Sequence, residues 1–433
     1  MLQKNNAKIT NAWCMYDWAN SVHNLVIITA IFPIYFTATT AGADGKGMVN
    51  FFGFMVKNTT LYAYAVSFGS LILVVLNPIL TSMADVSGRK KFFMRIFCYL
   101  GSACCAYLYF FTKDNVNSAV IAFALSIVGW GGSVVFYNSF LPEIASEDLL
   151  DRISARGFAF GYVGSILLLV FNLLLIKKPE FFGLTVAETQ SGFTSRISFL
   201  TVGIWWALFA QIPFYFLPKD KGTNFDAFSL SKGFRDLRHI VAGLKHKPLI
   251  AKFLSAYFVY YMGVMTVIYV ATIFAQQELH IPQAGLITTL VLIQVVAIPG
   301  SYLASILSEK YGNTVALRIE IFVWAFVPIG AYFTTNEYQF YAIAAVVGLV
   351  MGGVQSLSRS TYSKLLPENG PDNTKYFGLY DVLEKLATSL GTFTFGFVAQ
   401  LTGSLRDSLL FLIVVFGAGF LLLMRIPSKK IYE

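Results

Sequence analysis

Charged and amide side chains interrupt apolar runs at a few places in this sequence, and their spacing groups them on helical faces. Asp17, Asn20 and Asn24 are spaced i, i+3, i+7, which puts them on one side of a helix; His23 stands beside them. Gln355 and Arg359 are i, i+4, with Ser356 between them, and Asp381 and Lys385 are also i, i+4. The last two can pair, which leaves Glu384 as the less compensated acid. Groups of this kind are expensive in hydrocarbon, so they face a cavity or a partner and mark the path of a solute or proton. Arg359 offers a two-pronged fork for a carboxylate. Glu384 suits a proton site, and Glu320, two residues after Arg318, is a further candidate of that kind. His23 reads either as a packing histidine or as a proton carrier. Asp17 and Arg359 read either as a gate pair or as side chains snorkelling to the headgroups.

The elements that must position these groups are membrane-crossing helices. The chain has 433 residues, 56% of them hydrophobic and 13% charged, with a mean hydropathy of +0.64. Soluble domains carry about 25% charged residues. Twelve apolar runs approach the ~20 residues needed to cross a bilayer: 15–39, 59–83, 92–112, 117–140, 154–176, 196–217, 248–275, 283–307, 316–334, 338–361, 377–401 and 406–425. They are unbroken, unlike the alternating segments of a β-barrel. No cleavable leader is expected, because the first dozen residues are mostly polar and the first run is long enough to span. The polar faces fall on predicted helices 1, 10 and 11. Helix 4 adds Trp130, Tyr137 and Asn138, and helix 7 adds Tyr257, Tyr260 and Tyr261. These tyrosines can also be read as interfacial belt residues.

The net charge of +9 is not a nucleic-acid signature, since the basic residues lie between apolar runs. With the N-terminus inside, 20 Lys and Arg fall in inside loops and tails against 7 outside, which sets both ends in the cytoplasm. Cys14, Cys98, Cys104 and Cys105 read as small packing residues, not as a disulfide framework or metal site. No phosphate-binding G-x-x-x-x-G-K-[ST] loop, zinc-protease H-E-x-x-H or G-x-S-x-G elbow is present. No enzyme activity, metal or cofactor is therefore expected.

Two echoes suggest two similar halves. Asp85-Val86-Ser87-Gly88 returns as Glu309-Lys310-Tyr311-Gly312, 224 residues later, and Tyr137-x-x-x-Leu141-Pro142-Glu143 returns as Tyr362-x-x-x-Leu366-Pro367-Glu368 in the register Y-x-x-x-L-P-E. The expected division is a first six-helix bundle over 1–217, a basic cytoplasmic linker over 218–247 and a second bundle over 248–433. Leu230, Phe234, Leu237, Val241 and Leu244 form a stripe in the linker, with Lys232, Arg235, Arg238 and Lys245 off it, so a helix along the inner headgroups is expected. Gly88 permits a tight turn. Asp85 can face the N-terminus of a neighbouring helix, while Arg89 and Lys90 hold the loop inside. Gly157, Gly161 and Gly164 form a close-packing stripe on helix 5.

The Asp85–Lys91 turn, D-x-x-G-R-K, resembles the signature loop of the major facilitator superfamily. Tyr16-Asp17-Trp18-Ala19-Asn20-Ser21, Gly352 to Ser360 and Phe377-Gly378-Leu379-Tyr380-Asp381 resemble the bacterial members of its vacuolar-effluxer, autophagy-related branch. The resemblance covers the whole chain. It implies an all-α membrane protein of two pseudo-symmetric six-helix bundles, with helices 1, 4, 7 and 10 lining a central cavity. It also implies a secondary transporter, and in fungal relatives amino-acid export from the vacuole. The function expected is alternating-access transport of a small polar organic solute, an amino acid or related zwitterion, with protons as candidate coupling ion. The expected setting is the plasma membrane, with one chain as the unit. The alternatives are a facilitator or drug exporter of the same fold, or a receptor that keeps the fold without transporting.

Overall fold

The computed structural model describes residues 4–42, 47–185, 187, 191–220, 222, 230–367, 370 and 372–427, with the backbone alone for 230–234. Glu368, and the side chains of Leu230, Lys232 and Phe234, lie outside the described residues.

Among the described residues, eleven helices are long and apolar enough to cross a membrane. In chain order they are α1 (Ala7–Thr39), α2 (Asn58–Ser87), α3 (Lys90–Phe110), α4 (Lys113–Ile144), α5 (Glu147–Lys177), α6 (Phe193–Phe216), α7 (Pro248–Glu278), α8 (Gln283–Tyr311), α9 (Asn313–Phe333), α10 (Glu337–Leu365) and α12 (Leu405–Met424). Between the last two lies α11 (Asn373–Thr402), 30 residues long. Asp381, Glu384, Lys385 and several threonines make it less apolar than the rest. Most helices overrun the predicted limits. Hydropathy ends where the hydrocarbon would, whereas the hydrogen-bonded backbone continues past it; the polar turn from Ala7 to Trp13 is one example.

The helices pair by one rule. In the first half α1 packs on α5 and α6, α2 on α4, and α3 on α4 and α6. In the second, α7 packs on α11 and α12, α8 on α10, and α9 on α10 and α12. Adding six to each number turns the first set into the second. The halves meet along α2–α11 and α5–α8, and along α4–α11 and α5–α10. Glycines let α5 approach α1: a Cβ on Gly161 would lie 2.5 Å from the Ser21 Oγ, and one on Gly164 would lie 2.8 Å from the Trp18 carbonyl oxygen. The outward faces are apolar, as lipid requires; Tyr64, Phe68, Leu71 and Val75 on α2 are all exposed.

Two local features escaped the hydropathy reading. Within α1, His23–Ala30 winds as a π-helix, a form that recurs at functional sites; Thr29 Oγ1 donates to the Asn24 carbonyl at 2.8 Å. After α1, strands Met48–Phe51 and Phe54–Lys57 form an antiparallel hairpin. Its turn residues, Phe52 and Gly53, both take positive φ, 49° and 92°.

The linker helix, Leu230–Gly243, packs against α2 and α11. The headgroup-lying helix expected from the stripe is therefore docked on protein. Leu237 and Ile240 join the core, while Val241 of the expected stripe is exposed.

Candidate functional site

Arg359 on α10 is the centre of one cross-half cluster. Its Nη1 meets Asp17 Oδ2 on α1 at 3.1 Å. Its Nε donates to Ser154 Oγ at 3.0 Å and its Nη2 to the Ser154 carbonyl at 2.8 Å, both on α5. A longer contact of 3.4 Å reaches Asn138 Oδ1. Tyr137 donates to the same Asp17 oxygen at 2.7 Å. The guanidinium lies over Phe158 at 4.1 Å and over Trp13 at 4.7 Å. Arg359 is 3% exposed and Asp17 7%. This is a buried ion pair between the halves, and it excludes the snorkelling geometry. Gly157 makes room for it, because a Cβ there would sit 2.7 Å from Asp17 Oδ2. Ser356 adds its carbonyl, which accepts from Ser154 Oγ at 2.8 Å. Gln355 accepts from Tyr162 at 2.7 Å.

A second cluster sits on α11. Lys385 Nζ lies 2.9 Å from Glu384 Oε1 and 3.4 Å from Asp381 Oδ1. Asp381 accepts from Asn77 Nδ2 of α2 at 2.5 Å, and Glu384 Oε2 accepts from Tyr257 at 3.2 Å. Glu384 is thus not the uncompensated acid that i, i+4 pairing implied. The long lysine side chain reaches both acids, and Asn77 bonds the Asp381 oxygen that the lysine leaves. The ammonium also lies 5.2 Å from the Trp130 ring, and Trp130 Nε1 donates to Asn20 Oδ1 at 3.3 Å. Side chains of α1, α2, α4, α7 and α11 therefore converge here. The Glu384 side chain keeps 17% exposure and that of Lys385 10%, so the pair borders open space.

The ends of the helices that carry the basic loops, hereafter the basic end, hold two further joints. Gly88 closes α2 with φ 64°, and Asp85 Oδ2 accepts from the backbone N–H of Lys375, in the first turn of α11, at 2.9 Å. Lys375 also reaches Asp236 of the linker helix at 3.4 Å, and Ser82 donates to Asp236. Lys90 pairs with Glu143 and lies over Phe140 at 4.2 Å; Arg89 is half-buried. At the other joint, Asp151 of α5 accepts from Ser308 Oγ at 2.7 Å, Asn313 Nδ2 at 2.6 Å and Lys364 Nζ at 2.6 Å. Gly312 takes φ 87°, but Glu309 is exposed and accepts from Ser305 alone among the described contacts, at 3.5 Å.

The other expected residues are placed as follows. His23 is fully buried in the first half, 2.9 Å from Ser126 Oγ and near the rings of Trp130 and Trp206, which is a packing environment. Asn24 is half-buried. Tyr260 bonds Ser358 at 2.8 Å, and the Tyr261 ring lies tilted against that of Tyr257 with centroids 4.7 Å apart; both are buried, so helix 7 does not present them as a belt. Glu320 is buried between α9 and α10, where a Cβ on Gly353 would lie 2.5 Å from its Oε1. Ser154, Asn77, Asp151, Lys364 and Asp236 went unsingled in the sequence. Asp151 alone left a signal, as an acid beside a predicted span. Among the described residues no group of three metal-ligating side chains forms, and the four cysteines are free.

Two six-helix halves with the same internal pairing, joined by polar faces across a central seam, define a major facilitator transporter. The fucose transporter FucP in its outward conformation superposes with a TM-score of 0.69 at 14% identity, covering 98% of each chain, a likeness that shows the fold. More narrowly, the chain belongs to the family described as vacuole effluxer Atg22 like, whose model matches residues 5–432. It is 30% identical to the uncharacterized MFS-type transporter YxiO of Bacillus subtilis, over 99% of this chain and 97% of that one. It is 26% identical to autophagy-related protein 22 of Kluyveromyces lactis, over 82% of this chain and 77% of that one.

Proposed function

We propose that the protein carries a small zwitterion, of the amino-acid type, across the plasma membrane by alternating access, with protons as the coupling ion and one chain as the working unit. The Lys385–Glu384 pair at 2.9 Å carries this reading. It presents one cation and one anion side by side, at the edge of open space, with Trp130 and Asn20 of the other half within reach. A zwitterion can exchange partners with such a pair, its carboxylate going to Lys385 and its ammonium to Glu384, so neither buried charge is stranded. Asp381, Glu384 and Lys385 together hold two acids and one base. Entry of a proton would neutralise the excess acid, which is the basis for coupling. The Arg359–Asp17 pair then acts as the gate on the basic side. The family description, vacuole effluxer, supports export as the direction of flux.

Both termini face the cytoplasm in this reading. Asn5 donates to the Ile144 carbonyl at the α4–α5 turn, and Arg318 near the start of α9 donates to Leu423 and Ile426 at the close of α12. Asn5 and Ile426 therefore lie at the basic end, and the excess of Lys and Arg there favours the cytoplasm.

Counterflow in proteoliposomes tests the proposal. Radiolabelled amino acids are offered with and without an imposed pH gradient. At least one should accumulate, the gradient should accelerate it, and Lys385→Met should abolish it. Failure of every amino acid to exchange would reject the zwitterion, and equal rates with and without the gradient would reduce the protein to a facilitator.

A further inference from the structure

A cavity of about 720 Å³ opens at the end opposite the basic loops. It lies between α1, α5 and α6 of the first half and the start of α8 in the second, which contributes Gln283, Ala284 and Ile287. Its volume falls in the range of roughly 300–1,000 Å³ typical of small-molecule sites. Much of the wall is aliphatic, including Ile31, Ile34, Leu173, Ile176 and Ile287. The charged lining is one-sided. Lys113, Lys177 and Arg196 are all present, with no carboxylate among the described lining residues.

This concentration is unusual for this chain. The loops assigned to this end hold 7 Lys and Arg, and three of them line this one cavity. Lys113 and Lys177 are exposed and Arg196 is half-buried, so the three cations give the mouth of the cavity a positive potential that draws in an anion. Among the described residues the nearby acids are placed elsewhere. Glu180 lies 3.9 Å from Lys178, with both side chains more than half exposed, and Asp114 does not line the cavity. Arg196 lies 5.9 Å from the Phe193 ring, and its Nε has no hydrogen-bond partner.

We propose that this cavity binds an anionic head carried on an apolar body. The guanidinium of Arg196, flanked by Lys113 and Lys177, takes the carboxylate or phosphate oxygens, which its planar fork matches. The aliphatic walls take the body. The site is separate from the α11 pair and does not depend on the zwitterion reading. Because it is built from both halves, its occupant ties them together at the end opposite the Arg359–Asp17 pair.

The full-length protein in nanodiscs of zwitterionic lipid is titrated with octanoate and with octanamide, its uncharged counterpart, and the melting temperature is followed. Octanoate should raise it saturably and octanamide should not. Arg196→Gln should weaken the octanoate response at least tenfold. Lys113→Gln combined with Lys177→Gln, at two exposed positions that do not threaten folding, should weaken it by a smaller factor. Equal responses to octanoate and octanamide, or a double-lysine variant and an Arg196 variant that both respond like the parent, would overturn the proposal. Repeating the titration in nanodiscs containing phosphatidylglycerol separates the sources of the anion. Competition that disappears in Arg196→Gln assigns the bilayer, and undiminished octanoate affinity assigns a free solute.

Discussion

The two joints at the basic end occupy equivalent places but distribute charge in opposite ways. At one, α11 begins against the end of α2, and the acid belongs to α2: Asp85 accepts from the first turn of α11. At the other, α5 enters a socket made by the ends of α8, α9 and α10, and the acid belongs to the inserted helix. Asp151 there receives Lys364, Asn313 and Ser308 from all three socket helices. The first joint uses a half-buried carboxylate and a helix N-terminus, reinforced by the linker helix through Asp236. The second uses a fully formed ion pair in which Asp151 is 2% exposed and Lys364 10%. Two halves of one fold can therefore share the geometry of a joint without sharing the residue that holds it.

The difference in burial sets the order of effects. Removing one partner of a buried pair leaves the other charge stranded and costs about 3–5 kcal/mol. Lys364→Met strands Asp151, so the halves should separate at the basic end roughly a hundred- to several-thousandfold more readily, by the same principle. Spin labels on the basic-end loops of the two halves would report this as a shift from short to long distances. Asp151→Asn combined with Lys364→Met should recover much of the loss, because the amide can keep its contacts with Ser308 and Asn313. A double variant as open as the single one would mean that packing, not charge, holds the joint.

Asp85→Asn should do less. The side chain still accepts from the Lys375 N–H, and what is lost is its charge at a helix N-terminus, a term of about 0.3–1 kcal/mol. The same labels should show a shift of about two- to fivefold, by the same estimate. If Asp85→Asn opens the basic end as far as Lys364→Met does, the ranking by burial fails and the α2–α11 joint is the dominant one.

Much of the architecture could be read in the sequence because lipid leaves few choices. Long apolar runs must be helices, and the basic loops sort to one end. Asp17, Arg359 and the α11 acids were visible for the same reason, since charge in an apolar run stands out. What stayed hidden was partnership. Ser154, Asn77 and Asp236 are ordinary polar residues until folding brings them within hydrogen-bonding or ion-pairing reach of groups on helices up to 304 positions away. On α11 the Asp381–Lys385 pair that helical spacing implies is present at 3.4 Å, and what spacing does not reveal is that the flexible ammonium also reaches the carboxylate of Glu384 next to it. The linker stripe was read as lipid-facing because hydropathy cannot tell a bilayer from the flank of α2.

Glu309 gives the finest test of the comparison. By sequence it is the counterpart of Asp85, the acid three residues before a glycine at the end of the second helix of its half. If repetition of the motif decided function, Glu309→Gln should weaken the α5–α8 joint about as much as Asp85→Asn weakens the other. The structure leads to the opposite expectation. Glu309 is exposed, its described contact is a 3.5 Å bond to Ser305 one turn back on its own helix, and Asp151 already occupies the socket it would have served. Its substitution should leave both transport and the spin-label distances within error of the parent. A loss equal to that of Asp85→Asn would instead mean that Glu309 enters the joint in another state of the cycle. The exchange of roles between Glu309 and Asp151 would then be part of the motion itself.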